Sequence, residues 1–121
     1  MLFRSVVSKD GEYLGGVIFP GVEISLEALT ERAAALPTID LTPPRAVLGK
    51  STVDAIRSGI LYGYAAMVDG ILARLKAEVG PARAIATGGL AAAVVPYCES
   101  IDEYDDLLTL TGLRLIWERN R

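Results

Sequence analysis

Gly49-Lys50-Ser51-Thr52 opens the longest helical pattern of the chain, Val53 to about Val79, and its reading decides the fold. A Gly-Lys-Ser-Thr run suggests a phosphate loop. That loop also needs a glycine five residues before the Gly-Lys, so that successive backbone N–H groups curl round a polyphosphate. Pro44 stands at that position, behind Pro43. Proline has no N–H to give. The stretch is therefore a helix start: Ser51 or Thr52 can cap it, and Ser51 with Asp54 makes a capping box in which Asp replaces the usual Glu.

The helix it opens carries two stripes. Large apolar residues recur at Val53, Ile56, Ile60, Tyr64, Met67, Ile71 and Leu75, a 3.6-residue period that predicts an inward face. Small residues recur at Ala55, Gly59, Gly63, Ala66 and Gly70. An interior glycine costs a helix about 1 kcal/mol relative to alanine, so these glycines call for close approach by another backbone. A partner subunit and tight packing within the same chain are both open.

Upstream, the pattern predicts a β-hairpin: Phe3 to Ser8, a turn at Lys9-Asp10-Gly11, then Glu12 to Phe19. Gly15 and Gly16 interrupt the second strand, marking either a bulge or a place where a ligand or another backbone comes close. Pro20-Gly21 ends the hairpin. Val22 to Leu36 then reads as an amphipathic helix, with Ile24, Ala28, Leu29 and Ala33 inward and Glu27, Glu31 and Arg32 outward, stopped by Pro37. Thr38 to Arg45 is an extended connector stiffened by Pro43-Pro44, and Ala46-Val47-Leu48 leads into Gly49.

Downstream, Gly80-Pro81 breaks the long helix and Arg83 to Ala86 is a short strand candidate. Thr87-Gly88-Gly89-Leu90 leads into a small helix of alanine and valine ending at Pro96. A strand, two glycines and a helix start let backbone N–H groups face an anion or a base edge, although many such turns use glycine for geometry alone. Ile101 to Asp106 reads as an acidic surface turn rather than a metal site. Leu107 to Asn120 is an amphipathic helix with Leu110, Leu113, Ile116 and Trp117 on its apolar face and Thr109 or Thr111 as cap.

Composition bounds the function. The 121 residues are one domain's worth, 51% hydrophobic and 22% charged, a globular balance. The net charge of −3 and a pI near 4.9 leave no basic footprint for nucleic acid or an anionic membrane. Asp54, Arg57, Asp69 and Arg74 interrupt the long helix, so no apolar run reaches the roughly 18 residues of a membrane span. The N-terminus shows no signal-peptide h-region, and Met1-Leu2-Phe3-Arg4-Ser5 runs straight into the strand pattern. One cysteine, Cys98, and no histidine exclude an internal disulfide and the usual zinc sets. A cytoplasmic protein is expected.

In order, Tyr13-Leu14-Gly15-Gly16, Pro20-Gly21, Gly49-Lys50-Ser51-Thr52, Ser58-Gly59 with Gly63-Tyr64, Ala86-Thr87-Gly88-Gly89-Leu90 and Leu108-Thr109-Leu110-Thr111-Gly112-Leu113-Arg114-Leu115 resemble the C-terminal half of the type III pantothenate kinases, over Val6 to Asn120. The resemblance implies an α/β, actin-like architecture of two ribonuclease-H-like halves with ATP in the cleft between them, of which this chain is one incomplete half. It also implies transfer of the ATP γ-phosphoryl to pantothenate, the first step of coenzyme A synthesis, in a homodimer dependent on Mg²⁺ and a monovalent cation, K⁺ or NH₄⁺. By the same resemblance Thr52, Gly15 and Gly16 face the substrate, Gly88, Gly89 and Leu90 face the nucleotide, and Gly59, Gly63 and Tyr64 form the dimer contact.

The family's N-terminal half carries Asp-x-Gly-Asn-Thr for phosphate, Gly-x-Asp-Arg with the base, and Asp-x-Gly-Thr-Ala for the cation. None of these motifs occurs in this chain. No carboxylate is assigned here as base or metal anchor, and the chain alone is expected to be inactive, a partner to a complementing N-terminal half. The alternative is a catalytically silent dimerisation or ligand-binding module. A missing first strand leaves a sheet edge that would recruit other chains, so strand exchange or higher association is expected.

Overall fold

The computed structural model describes residues 2–32 and 39–121. The chain forms two compact units, Met1–Asp40 and Leu41–Arg121. Together they hold α/β secondary structure: a hairpin, four helices and a two-stranded parallel sheet.

In the first unit, β1 (Leu2–Val7) pairs antiparallel with β2 (Tyr13–Phe19). Ser8, expected in the first strand, belongs to the turn. Its hydroxyl accepts from the N–H groups of Asp10 (3.2 Å) and Glu12 (3.1 Å), competing with the ladder as short polar side chains do, and Gly11 turns the chain at φ +82°. The register runs Val6↔Gly15 and then Val7↔Tyr13, so Leu14 is an extra residue and a bulge is present. Gly15 takes φ +128° beside it. At Gly16 a Cβ would overlap the Arg4 carbonyl oxygen and stand 3.1 Å from its carbon. Both glycines thus have a reason inside the hairpin.

The second element of this unit is α1 (Val22–Arg32); Ala33 to Pro37, which the sequence reading also assigned to this helix and its stop, lie outside the described residues. Val22 is buried, but Ile24, Ala28 and Leu29, expected inward, are exposed. Periodicity identifies the apolar face of a helix, not whether its own chain covers that face.

The second unit is built on α2 (Thr52–Val79). Ser51 is its N-cap, extended at φ −125° and ψ 160°, with its hydroxyl accepting from the Asp54 N–H at 3.1 Å. Gly49 lies hard against this first turn: a Cβ there would overlap the Ala55 amide nitrogen and come within 2.7 Å of the Asp54 carbonyl carbon. One turn on, the buried Ser58 hydroxyl donates to the Val47 carbonyl and fastens the preceding segment to the helix. Gly80 ends the helix at φ +90°, its N–H bonded to the Lys76 carbonyl.

The buried line of α2 is Ser58, Leu61, Tyr64, Ala65 and Val68. This corrects the expected inward stripe, of which only Tyr64 is buried while Val53, Ile56, Ile60, Met67, Ile71 and Leu75 are half-buried. The two lines lie roughly 100° apart at 3.6 residues per turn.

Beyond Gly80, β3 (Ile85–Ala86) is followed by α3 (Ala91–Val94) and a 3₁₀ turn at Val95–Tyr97. Tyr97 meets Tyr62 of α2 edge to face, centroids 5.1 Å apart. Asp69 of α2 holds the next stretch, accepting from the N–H groups of Glu99 (3.0 Å) and Ser100 (3.0 Å) and from the Ser100 hydroxyl (2.5 Å).

The acidic segment at Ile101–Asp106 is not only a surface turn: it contains β4 (Glu103–Tyr104), parallel to β3 with Ile85↔Glu103 and Ala86↔Tyr104. Two acidic side chains brace this pairing: Asp102 Oδ2 accepts from the buried Ala84 N–H at 2.6 Å and Glu103 forms an exposed ion pair with Arg83 at 2.5 Å.

The last helix is α4 (Leu108–Arg119). The expected threonine cap is corrected, because Thr109 and Thr111 lie within the helix and Leu107 is the cap residue, without a side-chain bond to the helix. Asp105 braces the entry to the helix, its carboxylate accepting from the Leu107 N–H at 2.9 Å. Among the described residues no helix is long and apolar enough to cross a membrane.

Candidate functional site

In the second unit, a strand end, two glycines and a short helix meet at Gly88-Gly89-Leu90. Parallel pairing places this turn just past the carboxyl end of β3, the side on which open α/β sheets bind ligands. Gly88 takes φ +104°, which side-chain-bearing residues rarely adopt. Its carbonyl accepts twice, from the Ala91 N–H at 3.2 Å and from the Tyr104 hydroxyl at 3.1 Å. Gly89 has no such internal reason: it is exposed, and among the described residues a Cβ there would meet no atom within 4 Å. Leu90, also exposed, sits where α3 begins. The turn exposes bared backbone and an apolar side chain.

Thr52 is the first residue of α2 and is exposed, as are Lys50 and Ser51. Ser51 is occupied as the cap, so the Thr52 hydroxyl is the one presented outward at the helix start. Gly49 and Ser58, which fix the segment on either side, give that hydroxyl a rigid mount. Gly15 and Gly16 belong to the first unit, where the bulge and the close approach to Arg4 account for both.

The small stripe of α2 lies on its solvent side. Ala55, Gly59, Gly63, Ala66 and Gly70 are all exposed, and among the described residues a Cβ at Gly59, Gly63 or Gly70 would meet nothing within 4 Å. Packing among the described residues of the second unit therefore does not explain these glycines. Tyr64 does not share their face: it is buried in the line with Leu61 and Val68.

The remaining electrostatics are structural. For Asp69, burial pushes the carboxyl pKa up, but the hydrogen bonds from the Ser100 side chain and from the Glu99 and Ser100 N–H groups outweigh it and hold it below the ordinary value of 3.8. Among the described residues no group of three His, Cys, Asp or Glu side chains could hold a metal ion. An open depression of about 450 Å³, lined by Lys76, Pro81, Ala82, Arg83 and Asp102, lies toward the amino end of β3, away from the glycine turn. Sequence reasoning missed Tyr104 and Asp69 as organisers, since the partners of each are fixed only by folding.

The family model for type III pantothenate kinase matches residues 3–74. A relative of that name from Frankia alni is 56% identical over 116 residues, which are 95% of this chain and 46% of the relative. The type III pantothenate kinase of Acidothermus cellulolyticus is 56% identical over 117 residues, and that of Myxococcus xanthus 50% over 115. The chain thus spans less than half the length of these curated relatives, in their C-terminal half. A crystal structure from Campylobacter jejuni, described as a Baf family transcriptional activator, aligns over 98% of this chain and 57% of its own with a TM-score of 0.59 and 20% identity, a likeness of fold. Over the residues that form its hairpin, α1 and most of α2, this chain belongs to the type III pantothenate kinase family.

Proposed function

We propose that the chain acts as the C-terminal half of an ATP:pantothenate phosphotransferase, the first step of coenzyme A synthesis, and turns over only with an N-terminal half. The observation that carries this is the family match, at 56% identity across 95% of the chain, to relatives of which it spans under half. On this reading residues 1–121 form one incomplete ribonuclease-H-like domain of an actin-like kinase working in the cytoplasm. Gly88, Gly89 and Leu90 receive the adenosine side of ATP. Thr52 contacts pantothenate; for Gly15 and Gly16, in the first unit, the substrate role rests on the family likeness alone. Phosphoryl transfer depends on positioning and charge neutralisation, for which bared backbone and a rigidly mounted hydroxyl are suited.

Mg²⁺ and the monovalent cation are implied by the family likeness alone; among the described residues no group of three His, Cys, Asp or Glu side chains gathers to hold one. The exposed Gly59 and Gly63 support a homodimer with α2 against its copy. The same face favours the second reading, a silent dimerisation or ligand-binding module.

The test is to mix this chain with the N-terminal half of the Frankia alni relative, ATP, Mg²⁺ and K⁺, and to follow pantothenate phosphorylation. Product is expected only when both polypeptides are present. Turnover by this chain alone would refute the division of labour, and dimerisation with no turnover in the mixture would favour the silent module.

A further inference from the structure

The turn after β3 is held at one carbonyl. That of Gly88 accepts from the Tyr104 hydroxyl at 3.1 Å and from the Ala91 N–H at 3.2 Å, and the second bond lies at the long limit for an amide donor. This carbonyl and the Gly89 N–H belong to one planar trans peptide, so they point in opposite directions. Whatever fixes the carbonyl therefore aims the N–H. Glycine on both sides leaves this peptide wide freedom to rotate, since neither flanking residue has a Cβ to restrict it. Among the described residues the Gly89 N–H has no acceptor, and it lies past the carboxyl end of β3, where open α/β sheets take ligands.

The phenol is not needed to hold its own strand. Backbone bonds from the Asp102 and Glu103 N–H groups to the Ala84 carbonyl (2.9 and 3.2 Å) and from the Asp105 N–H to the Ala86 carbonyl (2.9 Å) already join β4 to β3. Tyr104 itself is exposed, and its hydroxyl reaches past the end of the strand pairing to Gly88. An exposed neutral hydrogen bond stabilises a fold little. Its consequence is local: it selects one orientation of the peptide between Gly88 and Gly89.

We propose that Tyr104 is a positioning residue for the nucleotide: by holding the Gly88 carbonyl it directs the Gly89 N–H toward an acceptor atom on the adenosine side of ATP. The inference rests on the functional reading above and adds to it the side chain that sets the turn's donor. Tyr104 acts through the peptide and not by touching the nucleotide.

Tyr104→Phe removes the donor and keeps the ring. The assay mixes the full 121-residue chain with the N-terminal half of the Frankia alni relative, ATP, Mg²⁺ and K⁺. Loss of the bond should raise KM for ATP about 2–10-fold while kcat and KM for pantothenate stay within about twofold. Glu103→Gln weakens the same strand through its exposed pair with Arg83 and should leave KM for ATP within about twofold. An unchanged KM for ATP in Tyr104→Phe would overturn the proposal and keep the functional reading, as would an equal rise in KM for pantothenate or the same rise in Glu103→Gln. If the parent mixture forms no product, that reading fails, and calorimetric titration of a non-hydrolysable ATP analogue into the parent and Tyr104→Phe mixtures decides the positioning role by itself. Binding weakened about 2–10-fold by the substitution would keep it. Equal binding, or none to the parent, would overturn it.

Discussion

The Tyr104 hydroxyl donates to the Gly88 carbonyl across 3.1 Å, tying the last residue of β4 to the first glycine of the turn that follows β3. The pairing of Ala86 with Tyr104 brings the phenol alongside, and the bond fixes a carbonyl whose own residue sits at φ +104°. Tyr104→Phe keeps the ring and removes this one donor. Such a bond contributes about 0.5–1.5 kcal/mol, the lower end for an exposed pair. Amide exchange at Gly89 and Leu90 should quicken about 2–5-fold with little change in melting temperature. Unchanged exchange would show that Ala91 alone holds the turn.

This bond also shows what the sequence could tell. Thr87-Gly88-Gly89-Leu90 was legible as a strand-to-helix turn because glycine pairs and apolar runs are local signals. Tyr104 was not, since its partner is 16 residues away and its strand hides in an acidic run. Ser51 capping Asp54 was readable for the same local reason. The inward line of α2 was misplaced because that helix is apolar round much of its circumference, so hydropathy alone does not single out the face its neighbours reach. For α4 the sequence marks Leu110, Leu113, Ile116 and Trp117 as apolar, and among the described residues of the second unit nothing buries them.

Glycines of like appearance in and near α2 should respond oppositely. Gly49→Ala puts a Cβ into the backbone of Ala55 and Asp54, which no rotamer relieves, and should cost about 1–3 kcal/mol in urea unfolding. Gly63→Ala meets open space and should stabilise the isolated chain by about 1 kcal/mol through helix propensity. Gly63→Leu should weaken self-association in sedimentation if α2 seats a second copy. A destabilising Gly63→Ala would place a neighbour against that face within the chain.

Asp69 makes the clasp at Glu99 and Ser100 pH-dependent. Its folded pKa is depressed, so its contribution is fully present above the ordinary 3.8 and is lost as pH falls through the lower folded value. Amide protection at Glu99 and Ser100 should therefore persist at pH 5 and fade only in strong acid. Asp69→Ala leaves those N–H groups without their acceptor and should cost about 1–3 kcal/mol at neutral pH while removing the acid-dependent part. A variant whose acid profile matches the parent would assign that dependence to other carboxylates.

Gly89→Val should separate fold from ligand. The added side chain enters open space, so melting temperature should stay within about 2–4 °C of the parent. In the assembled kinase the same substitution should raise KM for ATP with little effect on KM for pantothenate, whereas Thr52→Val should do the reverse. Equal effects of both variants on both constants would show that the two sites are not divided in this way.

The most direct measurement is made on a single fused chain: the Frankia alni relative with its C-terminal half replaced by these 121 residues, assayed for pantothenate-dependent ADP release with Mg²⁺ and K⁺. The chain is predicted to support turnover within about tenfold of the unaltered relative, a barrier change of about 1.4 kcal/mol. A folded, dimeric chimera without pantothenate-dependent ADP release would contradict the assignment of this chain as the working C-terminal half of the kinase.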